Sequence, residues 1–287
     1  MMDQESARQH LRPATLEQHP SSLPDGRRRG IAASLALIAA PWGLASALSG
    51  CATQPGGSGP ASGTGQALTP AQLAEIEKVL ASPARPDADR KADVRRQPAD
   101  LLRLAMVRPG MRVLDIWAGG GYTTQVMSAA AGSTGKVWAH TPTVRPPLEA
   151  RAKAPGSNIE VLVRPTEDPY PANLPRVDLV TLILSYHDIV NTPTDRMKMN
   201  RALLAALRPG GRLVVMDHSA RDGAGLSATE TFHRIEEAVM RKEIEAAGFV
   251  FEADSAAWRN KADPRDTHWN QAKPSSDKFA LRFVRPR

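Results

Sequence analysis

From residue 69 onward the apolar positions follow two alternating rhythms. Short, almost unbroken apolar runs at 111–116, 135–139, 159–163, 177–184, 212–216, 249–253 and 279–284 read as strands. The run at 177–184 is the most continuous, the pattern of a central strand buried on both faces. Between these runs, apolar residues recur at helical spacing over 123–131, 194–207 and 229–247. A further helix over 144–153 is confined by Pro146 and Pro147 to their C-terminal side. Strand and helix alternating in this order predict an α/β fold, with a seven-stranded, mostly parallel sheet carrying helices on both faces. The last two strands have no strong helix between them, so they predict a hairpin that puts an antiparallel terminal strand in the sheet.

Upstream of the first strand, Thr69 caps, Pro70 suits a first helical position, and Leu73, Ile76 and Leu80 recur at helical spacing. A second helix is expected over 99–105, and the stretch 82–98 is rich in Asp, Arg and Pro. Together these make an N-terminal helical cap, 69–107, on a domain running from 69 to 287.

The first 68 residues follow neither rhythm. Arg27, Arg28 and Arg29 precede an apolar run over 31–48 that is interrupted by Pro41 and Gly43, and the run ends in Leu48-Ser49-Gly50-Cys51. A basic stretch, an apolar stretch and small residues form the order of a secretory signal. The last four residues resemble the lipobox of bacterial lipoproteins, which implies a signal over 1–51, a diacylated Cys51 and an exported protein held to the membrane from the periplasmic side by lipid. If the signal is not used, the protein stays cytoplasmic. Residues 52–68 are rich in Gly, Ser and Pro, cannot bury apolar surface, and read as a flexible linker.

Composition narrows the function classes. Hydrophobic residues make up 41% of the 287-residue chain and aromatics only 5%, so the core rests on Leu, Val, Ile and Ala. The net charge of +7 is spread along the chain, and no Lys/Arg block alternates with aromatics, so nucleic acid is not an expected partner. A single cysteine excludes an intramolecular disulfide and a cysteine-based metal cluster. His140, His187, Asp188, Asp217 and His218 could also compose a metal site, but no close-spaced ligand motif supports it, so no metal is expected.

The chemistry concentrates after the first strand, in Asp115-Ile116-Trp117-Ala118-Gly119-Gly120-Gly121-Tyr122. Ligands of open α/β sheets sit at the carboxyl ends of the strands, where this acid falls. Glycines there let backbone approach a ligand closely and adopt positive φ. A nicotinamide dinucleotide is disfavoured, because Thr124 stands where Gly-x-Gly-x-x-Gly requires its third glycine.

Val113-Leu114-Asp115-Ile116 with Gly119-Gly120-Gly121 resembles motif I of class I S-adenosylmethionine-dependent methyltransferases, and Leu207-Arg208-Pro209-Gly210-Gly211-Arg212-Leu213-Val214-Val215 resembles their entry into the fifth strand. Tyr186-His187-Asp188, Asp217-His218-Ser219 and Phe232-His233-Arg234-Ile235, on the helix 229–247, are similar to a group of bacterial methyltransferases that often carry export signals. The resemblance implies a Rossmann-like sheet, S-adenosylmethionine as cofactor and an unknown small molecule as substrate. It places Asp115 on the α-ammonium of the cofactor and Trp117, Ala118, Gly119, Gly120 and Gly121 along it. Tyr122 then walls the cofactor or packs the helix start. Trp117 stands where the family has its first glycine, and the second strand ends in His140-Thr141 instead of a ribose-binding acid, leaving His140 or Thr141 to bond the ribose. Thr166 falls in the adenine region, and Tyr186 at the end of the fourth strand. His187 is the first choice for a general base with Asp188 as its orienter, His218 the second, and His233 is placed to close the site. Residues 93–98 act as a lid or as a plain capping segment. The competing reading is an exported ligand-binding lipoprotein that keeps this fold without catalysis.

Overall fold

In the computed structural model, which describes residues 69–287 apart from Ala84, seven strands form one sheet. The signal, Cys51 and the linker lie outside the described residues. The strands are β1 (Arg112–Ile116), β2 (Lys136–Thr141), β3 (Ile159–Val163), β4 (Val177–Ile183), β5 (Leu207–His218), β6 (Val250–Asp254) and β7 (Lys278–Val284). Their order is β3-β2-β1-β4-β5-β7-β6, parallel from β3 to β5, with β7 antiparallel to both β5 and β6. The expected fold is the observed one, with its antiparallel terminal strand in place. The chain leaves β1 toward β2 on one side and reaches β4 on the other, so β1 and β4 flank the topological switch point, where open α/β sheets bind their ligands.

The helices are α1 (Pro70–Ala81), α2 (Asp87–Arg96), α3 (Pro98–Ala105), α4 (Tyr122–Ala131), α5 (Pro146–Ala152), α6 (Tyr186–Val190), α7 (Arg196–Ala206) and α8 (Glu237–Ala246). Successive residues of a strand face opposite sides of the sheet, and the two buried cores follow that alternation. Leu114, Leu182, Leu213 and Phe283 join one core with Ile244 of α8. Val113, Leu179, Val214 and Ala280 join the other with Met127 of α4 and Leu101 of α3.

Four local expectations are corrected. Residues 82–98, read only as Asp/Arg/Pro-rich, contain α2, a helix with almost no apolar face. Asp87 and Asp89 in its first turn and Arg95 and Arg96 in its last complement the helix dipole. Strand β5 begins at Leu207, which pairs with Val177, and reciprocal bonds from Gly210 N–H to Arg285 O and from Arg285 N–H to Gly211 O hold its first residues. The segment after β4 folds at once into α6, too short at five residues to show a period. The helix expected over 229–247 starts only at Glu237.

The last correction has a clear cause. Ile235 N–H donates to His218 O, and Ala220 N–H donates to Ile235 O, so this stretch bonds beside the end of β5 and cannot bond itself as a helix. His233 takes a left-handed backbone (φ 49). Arg234 turns inward and is fully buried, donating to both oxygens of Asp263 at 2.8 and 3.3 Å and to the carbonyls of Thr267 (2.8 Å) and Ser219 (3.1 Å). Removing one member of a buried ion pair strands the other charge, at a cost of about 3–5 kcal/mol. Arg234→Met is therefore expected to lower the thermal midpoint by roughly 10 °C, since 1 kcal/mol moves a domain of this size by about 2–4 °C. A calorimetric scan showing an unchanged midpoint would refute the role given to this pair.

Candidate functional site

The turn after β1 lies at the switch point because β1 delivers it there. Asp115 is 1% exposed, next to last in β1 and in register with Thr181 of β4. The Thr124 hydroxyl donates to its Oδ2 at 2.6 Å, and the Thr181 hydroxyl donates to its Oδ1 at 2.7 Å. Burial pushes the carboxyl up to about 6, against the pull of the two hydroxyls and of nearby Arg96. A carboxylate offers about four lone-pair sites, so two remain for a cation.

The loop closes tightly on itself. Ala118 N–H donates to His140 O at 3.0 Å, and Gly121 N–H donates to Ala118 O at 2.9 Å. Gly121 has φ +85, and a Cβ there would meet Leu148 Cδ1 and Arg151 Cδ at 2.8 Å, so only glycine fits. Nothing lies within 4 Å of where a Cβ at Gly120 would stand, which leaves that backbone open to the cleft. Trp117 adopts φ 52 in place of a glycine. Its indole N–H donates to Thr166 Oγ1 at 3.0 Å, and its ring packs on the core, compensating a strain of about 1–2 kcal/mol.

Beside the loop runs a cleft of about 330 Å³, within the ~300–1,000 Å³ range of small-molecule sites. Asp115, Trp117, Ala118, Gly119, Gly120 and Tyr122 line it, as expected from the sequence. Its opposite wall is Ile183, Leu184 and Ser185, after β4, and Arg96 and Arg151 complete it.

These two arginines carried no signal in the sequence. Arg96 arrives on α2 and Arg151 on α5, and ion pairs fasten α2 over the glycine loop. Arg151 donates to both oxygens of Asp89 at 2.7 and 2.8 Å and to Gly120 O at 2.9 Å. Arg85 holds both oxygens of Asp93 at 2.6 Å, and the Tyr122 hydroxyl donates to the same carboxylate at 2.6 Å. The Arg96 guanidinium lies 4.9 Å from the centre of the Tyr122 ring. Tyr122 is thus a strut between loop and helix, and of residues 93–98 Arg96 lines the cleft.

Other expected residues are elsewhere. His140 is fully buried, with Nε2 on Arg164 O at 3.0 Å, burial pushes it down to about 4, and it does not line the cleft. Thr166 supports Trp117 from behind and does not line the cleft. Tyr186 is a core residue, 0% exposed, whose hydroxyl donates to Glu243 at 2.7 Å.

Beyond Ser185 the structure gathers a second group. His187 is buried with Nδ1 2.6 Å from Asp217 Oδ1 and Nε2 3.2 Å from Asp188 Oδ1. Burial alone would lower this imidazole, but Asp217 and Asp188 outweigh it and raise it to about 10. Both ring nitrogens of His187 are engaged by carboxylates, Nδ1 by Asp217 and Nε2 by Asp188. His218 is buried with Nδ1 on Ser276 Oγ at 2.8 Å, and its ring stacks on Trp269 at 4.6 Å. Burial, then the neighbouring His187, holds it well below the usual histidine range. His233 does converge here, with Nδ1 3.0 Å from Asp188 Oδ1, but from a turn and not from a helix. Their convergence agrees with the strand-end placement of His187 and His218, while the Asp188–His233 contact, 45 positions apart, carried no sequence signal.

No family model matches the chain. Over 119 residues it is 34% identical to the ubiquinone/menaquinone biosynthesis C-methyltransferase UbiE of Burkholderia vietnamiensis, covering 40% of this chain and 46% of that protein. The chain spans about half the length of the curated relatives it matches. Among solved structures, the 1,6-didemethyltoxoflavin-N1-methyltransferase of Burkholderia thailandensis, crystallised with S-adenosylhomocysteine, aligns at TM-score 0.50 and 18% identity, over 76% of this chain and 89% of that one. The [4+2]-cyclase SpnF aligns at TM-score 0.50 and 14% identity, over 67% and 80%. The described domain of this chain has the class I S-adenosylmethionine-dependent methyltransferase fold.

Proposed function

We propose that this protein is an S-adenosylmethionine-dependent methyltransferase acting on a small molecule. One observation carries the reading: a buried, ionisable Asp115 at the carboxyl end of β1, facing a cleft beside an open glycine backbone. The 34% identity to a C-methyltransferase over 119 residues supports it, as does a structural neighbour that holds S-adenosylhomocysteine.

The residues present fit the amino-acid end of this cofactor. Asp115 has lone pairs left for the α-ammonium. Arg96 and the N-terminus of α4 suit the α-carboxylate. When bound, the cofactor supplies an activated methyl group on a sulfonium. The protein's task is then to align the acceptor and exclude water. Ile183 and Leu184 form the apolar wall on the acceptor side, and Arg95, Arg96 and Lys278 line a small recess continuous with that wall. Arg95 and Lys278 favour an acceptor that is itself anionic or acidic, whose proton is lost without a strong base.

The engagement of both His187 ring nitrogens by carboxylates and the burial of His140 also favour a second reading, ligand binding without methyl transfer. Export through the signal at 1–51 and a lipid anchor on Cys51 belong to both readings. They are supported by the placement of the chain's one cysteine directly after Leu48-Ser49-Gly50.

Calorimetry is expected to detect S-adenosylhomocysteine binding to the purified chain; no heat at millimolar ligand rules the cofactor out. Affinity depends on the ionised form of Asp115. Because this carboxyl is raised to about 6, binding should be flat above that pH and weaken below it, approaching tenfold per pH unit. Asp115→Asn should bind at least tenfold more weakly and lose this dependence. A pH profile equal in both proteins would remove Asp115 from the site. Incubation with methyl-labelled cofactor and a small-molecule cell extract separates the two readings: label on a small molecule supports the enzyme, while binding with no transfer supports the binder. Mass spectrometry of the mature protein should find an N-terminal diacylated Cys51, and an unprocessed N-terminus would refute the anchor.

A further inference from the structure

We propose that His187, Asp188 and His233 form a binding site for a divalent first-row transition metal, at the end of β4 and independent of methyl transfer. The three side chains come from α6 and from the turn before α8, and their ligand atoms all lie within 4.8 Å of one another. Asp188 Oδ1 is 3.2 Å from His187 Nε2 and 3.0 Å from His233 Nδ1. Ligands held about 2.0–2.1 Å from one ion in a tetrahedral or octahedral shell are themselves about 2.9–3.4 Å apart as neighbours. The two spacings to Asp188 fall in that interval, and His187 and His233 lie within 4.8 Å of each other, so the three can converge on one ion.

The surroundings are those of a metal ligand set. His187 presents Nδ1 to Asp217 Oδ1 at 2.6 Å, which directs Nε2 toward the other two ligands. A carboxylate behind a ligating imidazole is the usual way to fix its tautomer and orientation. Asp217 is itself held in place by the backbone N–H groups of His187 (2.9 Å) and His218 (2.8 Å). His233 adopts φ 49, a conformation that costs a non-glycine residue energy and that concentrates at functional sites. This backbone turns its ring toward Asp188, while a ring from the 255–277 connection, His268, packs on its other side at 4.9 Å. His187 is buried, whereas Asp188 and His233 are about two-fifths exposed, so an ion here faces solvent on one side and keeps a position for water or a substrate oxygen. Two imidazoles and one carboxylate select zinc, iron or cobalt over magnesium or calcium, which prefer oxygen alone.

The test uses the full chain, stripped with a chelator, and equilibrium dialysis against Zn²⁺, with Co²⁺ as a spectroscopic probe. One Zn²⁺ per chain and d–d absorption from one bound Co²⁺ are expected. His233→Ala and Asp188→Asn change partly exposed side chains, and circular dichroism verifies that each folds. Each should weaken Zn²⁺ binding at least a hundredfold. Asp217→Asn, which removes only the support, should weaken it about 10–100-fold. Absence of stoichiometric Zn²⁺ in the folded wild-type chain overturns the proposal. So does equal affinity in folded His233→Ala, which would place the ion on His10, His19 or Cys51 instead. Binding of Mg²⁺ as tight as that of Zn²⁺ would equally overturn the ligand set.

Discussion

The carboxylate of Asp115, buried at the end of β1 and held by hydroxyls from β4 and α4, is the constraint on which the site depends. Burying an ionisable carboxyl is costly unless its oxygens are satisfied. Thr181 does this from the neighbouring strand and Thr124 from the helix that follows the loop. The two bonds tie the three elements that meet at the switch point. They also fix where the loop between Asp115 and Thr124 must run, along the carboxyl edge of the sheet. The glycines matter because of this tether: Gly121 must pass under Leu148 and Arg151 to reach α4 in time for Thr124 to meet Asp115.

The second layer over the cleft is electrostatic. Helix α2 has little apolar surface to bury, so its place is set by ion pairs. Arg85–Asp93 anchors it near α1, and Asp89–Arg151 joins it to α5 across the glycine loop. Because Arg151 also donates to Gly120 O, the fastening of α2 and the shape of the loop are one interaction. Partly buried bidentate pairs of this kind hold geometry better than exposed single contacts. They bring Arg96 to the cleft with its guanidinium against the Tyr122 ring.

What the sequence revealed divides along the same line. Apolar periodicity is a local property, so the strands, their order of alternation with helices, and the buried centre at 177–184 were legible. Asp115 and the glycines were legible too, since an acid at a strand end followed by glycines within six residues is read from covalent neighbours. Helix α2 was not, because its helix is held from Arg85 and Arg151 and has no apolar stripe. The false continuation of α8 back to residue 229 shows the opposite failure. Residues 229–236 include apolar side chains at plausible spacing, but Arg234 is claimed by Asp263 and Ile235 by the end of β5. The surroundings of His140 and His187 were not legible, for a shared reason: a histidine's position along a strand does not tell whether burial or a carboxylate governs it.

The two ends of the cleft now have opposite character, and this polarity follows from the fold. At the end of β1 stands a carboxylate with acceptor capacity to spare. At the ends of β4 and β5 stand His187 between Asp217 and Asp188, and the basic groups Arg95 and Lys278 on the recess nearby. A ligand with an ammonium at one end and an anionic partner at the other is oriented by this arrangement in one direction only. Replacing the proton shared by His187 and Asp188 with a divalent ion leaves that orientation unchanged and strengthens it, because the charge at the β4 end rises while Asp115 is untouched. The polarity therefore does not depend on which cation occupies the histidine cluster; it depends on the carboxylates, Asp115 at the end of β1 on one side and Asp217 near the end of β5 with Asp188 in α6 on the other.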